Sequence, residues 1–194
     1  MYLIIYGPEG SGKGTQANLL KAKLNLPVIT SGDLVRAKAK KNHTVEGKIC
    51  RKALETGQYV PDYVMFKLWR EKLESSESQK GFILDGFPRN IHQAQFLESV
   101  ISKLNYCLDK FIYLKLSDRQ SRSRLLKRNR KVYEGSSISH DTPERINQRL
   151  RTYHQMEHEL VEFFQKKGLL AEINGEQSVE MVFQDILAKL NLNI

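Results

Sequence analysis

Short apolar runs alternate with longer stretches of helical periodicity along the chain, a pattern that few architectures satisfy other than a parallel sheet with helical crossovers. Five runs read as strands: 2–6 (YLIIY), 27–30 (PVIT), 82–85 (FILD), 111–115 (FIYLK) and 170–173 (LAEI). Between them, a helix over 13–24 aligns Ala17, Leu20 and Leu24 on one face, and one over 91–104 aligns Ala94, Leu97, Val100 and Ile101. A longer helix is expected from 142 to about 167. Thr142 can cap it, Pro143 suits its first position, and Gly168 suits a left-handed exit. The fold class is therefore α/β, with a five-stranded parallel sheet flanked by helices.

Two stretches break the alternation. Residues 31–59 are helical in pattern without a strand and too thin in apolar content for a separate core, so they read as a flap on the sheet. Residues 129–140 (NRKVYEGSSISH) are polar, with Gly135 and three serines, and read as a mobile loop. With 194 residues, 40% of them hydrophobic, the chain suits one core rather than a tandem array. Two cysteines, Cys50 and Cys107, exclude a disulfide scaffold and a four-thiolate zinc site. With no signal-peptide pattern and no apolar run approaching a membrane span, the expected setting is the cytoplasm, with no membrane partner.

Lys and Arg number 31 against 22 Asp and Glu, a net charge of +9 that favours polyanionic partners. Seven cations fall within residues 119–131 with no acid among them. Either a solvated helix face, a nucleic-acid patch or a phosphate site fits that cluster, so placement must decide.

The chemistry concentrates after the first strand, in Gly7-Pro8-Glu9-Gly10-Ser11-Gly12-Lys13-Gly14-Thr15, followed by a helix. Glycines allow backbone N–H groups to converge on phosphate oxygens, the helix N-terminus adds positive potential, and Lys13 supplies a point charge. This is a phosphate-binding loop (P-loop), with Gly14 standing where Ser or Thr is usual and Thr15 bringing the hydroxyl one residue later. Asp85 ends the third strand and is followed by Gly86-Phe87-Pro88-Arg89. In an open parallel sheet the carboxyl ends of strands line the ligand crevice, so Asp85 should face the loop. A carboxylate there can hold the water shell of Mg²⁺, and Arg89 can fork onto phosphate oxygens.

GPEGSGKGTQ (7–16), SGDLVR (31–36), LETGQYVPD (54–62), DGFPRNIHQA (85–94), RLLKR (124–128) and QRLRTYH (148–154) together resemble the adenylate kinases, of the nucleoside-monophosphate kinase family, across essentially the whole chain. The resemblance implies a P-loop core (1–30, 61–128 and 142–194), a helical monophosphate-binding flap (31–60) and a short lid (129–141). It implies ATP + AMP ⇌ 2 ADP with Mg²⁺ and without zinc. Gly10, Ser11, Gly12, Lys13, Gly14 and Thr15 would hold ATP, with Arg124 on its adenine, Arg128 on its phosphates and Gln177 near its base. Ser31, Arg36, Gln58, Tyr59, Val60, Gly86, Phe87, Pro88, Arg89 and Gln93 would hold AMP, with Arg149 between the two phosphate groups. Thr15 and Asp85 would hold Mg²⁺ through water. The catalytic set would be Lys13, Arg89, Arg124, Arg128 and Arg149.

Phosphoryl transfer needs aligned nucleotides, excluded water and neutralised oxygens, which suits this set of cations. Lys127, Arg130 and Lys131 read as solvated. The lid departs from the family pattern: an Arg before a paired Asp-Asp is usual, and here Ile138, His140 and Asp141 stand in those places, leaving Arg130 or Lys131 as substitute cations. A lone loop histidine such as His140 reads as solvated rather than as a ligand or base. Small-molecule nucleotides are the expected partners of a monomer, since a nucleic-acid binder has no use for two nucleotide sites. The alternatives are a UMP/CMP kinase, which usually carries Asn near the position of Gln93, and an inactive P-loop protein that binds nucleotide or nucleic acid.

Overall fold

The computed structural model describes residues 1–41, 43–129, 131, 139 and 141–192. Five parallel strands, β1 (Tyr2–Tyr6), β2 (Val28–Thr30), β3 (Phe82–Asp85), β4 (Lys110–Lys115) and β5 (Leu170–Asn174), form one sheet in the order β2-β3-β1-β4-β5. Each matches a run read from the sequence to within one residue at either end. β1 lies at the centre because it is apolar on both faces: Leu3, Ile4 and Ile5 are at most 1% exposed. Such two-sided burial is the mark of a parallel sheet covered on both faces.

The faces divide by the two-residue alternation of a strand. Leu3, Ile5, Ile83, Ile112 and Leu114 pack against α1 (Lys13–Leu24) and α8 (Val179–Lys189) through Ala17, Leu20, Val182 and Ile186. Ile4, Leu84, Phe111 and Tyr113 face the larger cluster on the other side. That cluster draws on α4 (Asp62–Leu73), α5 (Ile91–Lys103) and α7 (Pro143–Lys166). α7 starts as its sequence indicates, with Thr142 Oγ1 accepting the N–H of Arg145 and Pro143 at the first helical position.

Within residues 31–60, read from the sequence as a flap, lie two helices, α2 (Ser31–Ala39) and α3 (Val45–Thr56). Among the described residues, Val35, Ala39, Cys50, Ala53 and Val60 are buried in the same cluster as Val64, Leu68 and Trp69, so this segment shares the main core. α6 (Asp118–Arg128) follows β4, and beyond it Lys131 and Ser139 form an antiparallel bridge. Arg130, Ile138 and His140, on which the expectations about lid chemistry rest, lie outside the described residues.

Candidate active site

Register brings the carboxyl ends of three strands together: Asp85 is level with Ile5 of β1 and with Thr30 of β2. The phosphate-binding loop leaves β1 at this edge. Gly7 has φ of 145°, and a Cβ there would sit 2.5 Å from the Leu114 carbonyl oxygen, so only glycine lets the loop pass β4 so closely. Gly12, at φ of 92°, is the N-cap of α1 and offers no side chain to its opening N–H groups. Those donors and the positive end of the helix dipole are thus left for an anion. Lys13 Nζ curls back to donate to the carbonyl oxygens of Gly7 and Pro8, each at 2.8 Å. Burial pulls its pKa down, against the opposing pull of Asp85 and Glu9.

Asp85 faces the loop as its place at the strand end requires. A Cβ built on Gly14 would lie 3.7 Å from Asp85 Oδ2, and Thr15 and Asp85 line the same cavity. Burial raises the pKa of Asp85, with Lys13 and Arg89 acting against the rise.

That cavity, of about 540 Å³, is lined by Lys13, Arg36, Arg89, Arg124, Arg128 and Arg149, every cation assigned to phosphate from the sequence. They come from α1, α2, the β3–α5 turn, α6 and α7. Three acids face them: Glu9, Asp33 and Asp85. Arg149 pairs with Glu9, donates from Nη2 to Asp141 at 3.1 Å and from Nε to the Arg145 carbonyl at 3.1 Å. Arg128 also binds Asp141, while Arg36 pairs with Asp33 at 2.7 Å. Arg36, Arg128 and Arg149 are thus held by carboxylates, while Lys13, Arg89 and Arg124 are held by backbone carbonyls. Lys127 and Lys131 are exposed to solvent, as read from the sequence.

A second cavity of about 400 Å³ opens beside the first, and Ser31, Arg36, Gln58, Tyr59, Val60, Gly86, Arg89 and Gln93 all line it. Its walls are apolar at Val35, Leu54, Val60 and Met65. Ser31 donates its hydroxyl to the Gly86 carbonyl at 2.6 Å, and Arg89 Nε donates to the same oxygen at 2.8 Å. The Arg89 guanidinium lies 4.5 Å from the centroid of the Tyr59 ring. Two residues expected here contribute differently. Phe87 and Pro88 are buried, and Phe87 stacks on Trp69 at 4.5 Å, so its side chain belongs to the core.

A third cavity, of about 380 Å³, joins Gly10, Ser11, Gly12 and Thr15 to Arg124 and Gln177. Arg124 Nη1 donates to the Gly10 carbonyl at 3.3 Å, and Gln177 Nε2 donates to Asp185 at 2.7 Å. The site thus consists of two flanking cavities and a cationic one. The sequence reading passed over Glu9 and Asp62 as site residues and took Asp141 only as part of an altered lid. An acid inside a Gly-rich loop whose expected ligand is anionic was the available signal for Glu9, because such a charge requires a cationic partner in the fold.

Among the described residues no three His, Cys, Asp or Glu side chains are grouped so as to cage a metal. The hard oxygens of Thr15 and Asp85 in the cationic cavity suit Mg²⁺, which keeps several waters and takes its other ligands from substrate phosphates.

Comparison with known proteins agrees with this architecture. The family model for adenylate kinase matches residues 5–169. The adenylate kinase of Leptospira biflexa is 40% identical over 188 residues, covering 97% of this chain and 98% of its own length. Adenylate kinase 1 of a Nostoc species is 37% identical over 188 residues, covering 97% of each chain. The adenylate kinase of Limosilactobacillus reuteri is 36% identical over 219 aligned positions that take in all of both chains. Likeness of this extent means that the chain belongs to the adenylate kinase family.

Proposed function

We propose that the protein catalyses reversible Mg²⁺-dependent phosphoryl transfer, ATP + AMP ⇌ 2 ADP. The observation that carries this reading is the meeting of Lys13, Arg36, Arg89, Arg124, Arg128 and Arg149 in one cavity flanked by two others. A single-nucleotide binder needs only one flanking cavity.

In this reading the cavity at Arg124 and Gln177 takes the adenosine of ATP, with its phosphates over Gly10, Ser11, Gly12, Lys13, Gly14 and Thr15. The cavity at Ser31, Arg36, Gln58, Tyr59, Val60, Gly86 and Gln93 takes AMP, with its phosphate toward Arg36 and Arg89. The transferring phosphoryl group then lies among Lys13, Arg89, Arg128 and Arg149. Its transition state spreads charge over equatorial oxygens, so pre-aimed cations lower the barrier without covalent work. Mg²⁺, held through Thr15 and Asp85, would add charge neutralisation on the phosphates. Residues 31–60 and 129–141 are the parts that would close over the nucleotides and exclude water. Residues 31–60 bring Val35, Ala39, Cys50, Ala53 and Val60 into a core shared with α4, and that limited burial supports their part in this, since closure requires a segment with little burial to lose. Two free cysteines fit a cytoplasmic setting.

The test is a coupled assay of ADP formation with ATP as donor and AMP, CMP, UMP or GMP as acceptor. AMP should be fastest. A preference for CMP or UMP would reassign the acceptor, and absence of ADP formation with every acceptor would overturn the reading.

A further inference from the structure

Gln93 is only 6% exposed, yet it lines the proposed acceptor cavity, and both ends of its amide are engaged by protein groups, Asp62 and Arg89, that line the same cavity. The backbone N–H of Arg89 donates to its Oε1 at 2.8 Å, and its Nε2 donates to Asp62 Oδ1 at 2.6 Å. The second oxygen of Asp62 accepts from Asn90 Nδ2 at 3.3 Å, so both carboxylate oxygens are tied to the start of α5. Asn90 in turn caps α5 by accepting the Gln93 N–H at 2.8 Å.

A carboxamide has nearly the same shape in its two flipped orientations, so only its partners decide which is adopted. Here the partners have opposite and fixed characters. An ionised carboxylate can only accept and a backbone N–H can only donate. A flipped Gln93 would set oxygen against the Asp62 oxygen and an amide N–H against the Arg89 N–H, leaving both ends unmet in a buried place. In the orientation observed, one Nε2 hydrogen and one Oε1 lone pair remain for a ligand, and their order along the amide is set.

Purine edges differ in just this order. A 6-amino purine offers a donor beside an acceptor ring nitrogen, whereas a 6-keto purine offers an acceptor beside a ring N–H, with almost the same outline. Between the apolar walls at Val35, Leu54, Val60 and Met65, and with its phosphate held by arginines, a base cannot turn over to correct a mismatch. We propose that Asp62 is a specificity-determining residue: by holding the Gln93 amide in one orientation it makes the acceptor site match a 6-amino purine and reject a 6-keto purine. Asp62 itself acts as a positioning residue. This inference rests on the functional reading above.

The experiment compares kcat/KM for AMP and for IMP, its 6-keto counterpart, at saturating ATP. AMP turnover by the parent protein is measured first, and its absence would remove the functional reading and this inference together. Given AMP turnover, the parent should favour AMP over IMP by on the order of a hundredfold or more, as sites that hydrogen-bond their substrate do. Asp62→Leu should lower that ratio at least about tenfold, chiefly through a higher KM for AMP, with KM for ATP changed less than about twofold. Asp62→Asn keeps the shape but can turn to offer an N–H, so it should lower the ratio by a smaller factor, and it is the variant to read if Asp62→Leu does not fold. In a Gln93→Leu background, Asp62→Leu should leave the ratio where Gln93→Leu alone puts it. A parent that does not discriminate, an unchanged ratio in the Asp62 variants of an active enzyme, or an Asp62 effect that persists without Gln93 would each overturn the proposal while leaving phosphoryl transfer in place.

Discussion

Asp141 receives Arg128 through a two-pronged fork, Nε and Nη2 of the guanidinium each donating to one carboxylate oxygen at 2.9 Å. The same carboxylate also takes Arg149, and its side chain is wholly buried. One acid therefore sets the spacing of two arginines that belong to different helices, α6 and α7. Asp141→Ala should lower kcat by about ten- to a hundredfold, because both cations lose their common reference. It should also destabilise the fold by about 1–3 kcal/mol, a value kept modest because Arg128 is partly solvated. Urea unfolding and the coupled assay on the same preparation measure the two effects. Wild-type turnover in this variant would mean that the arginines are aimed by other partners.

In the proposed reaction Lys13 and Arg89 would act on charge rather than on packing. Lys13→Ala and Arg89→Ala should each reduce kcat by roughly a hundred- to a thousandfold. Neither removes an apolar contact of the core, so circular dichroism and unfolding midpoints should change little. Near-normal rates in both variants would rule out the proposed path of the phosphoryl group.

A pH effect should come from His154, which bridges Asp118 of α6 at 2.8 Å and Glu157 of α7 at 3.0 Å. The bond to Asp118 raises its pKa above the usual 6.5, burial opposes the rise, and the bond to Glu157 adds to it. A pKa higher in the folded than in the unfolded state gives a stability contribution that is fully present below pH 6.5 and is lost as pH rises through the folded value. Because the side chain is 49% exposed, the contribution is small. The melting temperature of the parent should exceed that of His154→Gln near pH 6, and the gap should narrow toward pH 8. A gap that widens with pH would reverse the assignment.

Trp69 belongs to the core that α2 and α3 share with the sheet. It is fully buried, stacks on Phe87 and sits in the cluster that receives Val35, Cys50 and Ala53 from α2 and α3. Trp69→Ala should cost about 3–5 kcal/mol in denaturant unfolding followed by circular dichroism. Trp69→Phe, which leaves a smaller void, should lose less. Equal losses for the two variants would show that the indole's size is not what anchors the flap.

Much of this molecule is written in local patterns. Apolar runs such as YLIIY and FILD mark strands because a strand covered on both faces is apolar along its whole length, a pattern readable within four or five consecutive residues. The loop after Tyr6 is legible because Gly7, Gly12 and Lys13 do their work within one turn of chain. Thr142 and Pro143 announce α7 for the same reason. From these segments and the resemblance they carry, the sequence alone determined the α/β class, the phosphate loop and the roster of cations.

Only the tertiary structure decided what holds those cations and what faces the acceptor base. Glu9 and Arg149 stand 140 positions apart, and Asp62 and Gln93 stand 31 apart. No periodicity or turn rule couples such residues. Glu9 and Arg149 meet because the segment after the central strand β1 and the start of α7 reach the same edge of the sheet, and Asp62 and Gln93 meet because α4 packs against α5. A lone acid in the sequence has no visible partner, since partners are assigned by the packing of helices against that sheet. In the fold, the low-dielectric surroundings leave a buried carboxylate such as Asp141 little choice but to bind the nearest guanidinium.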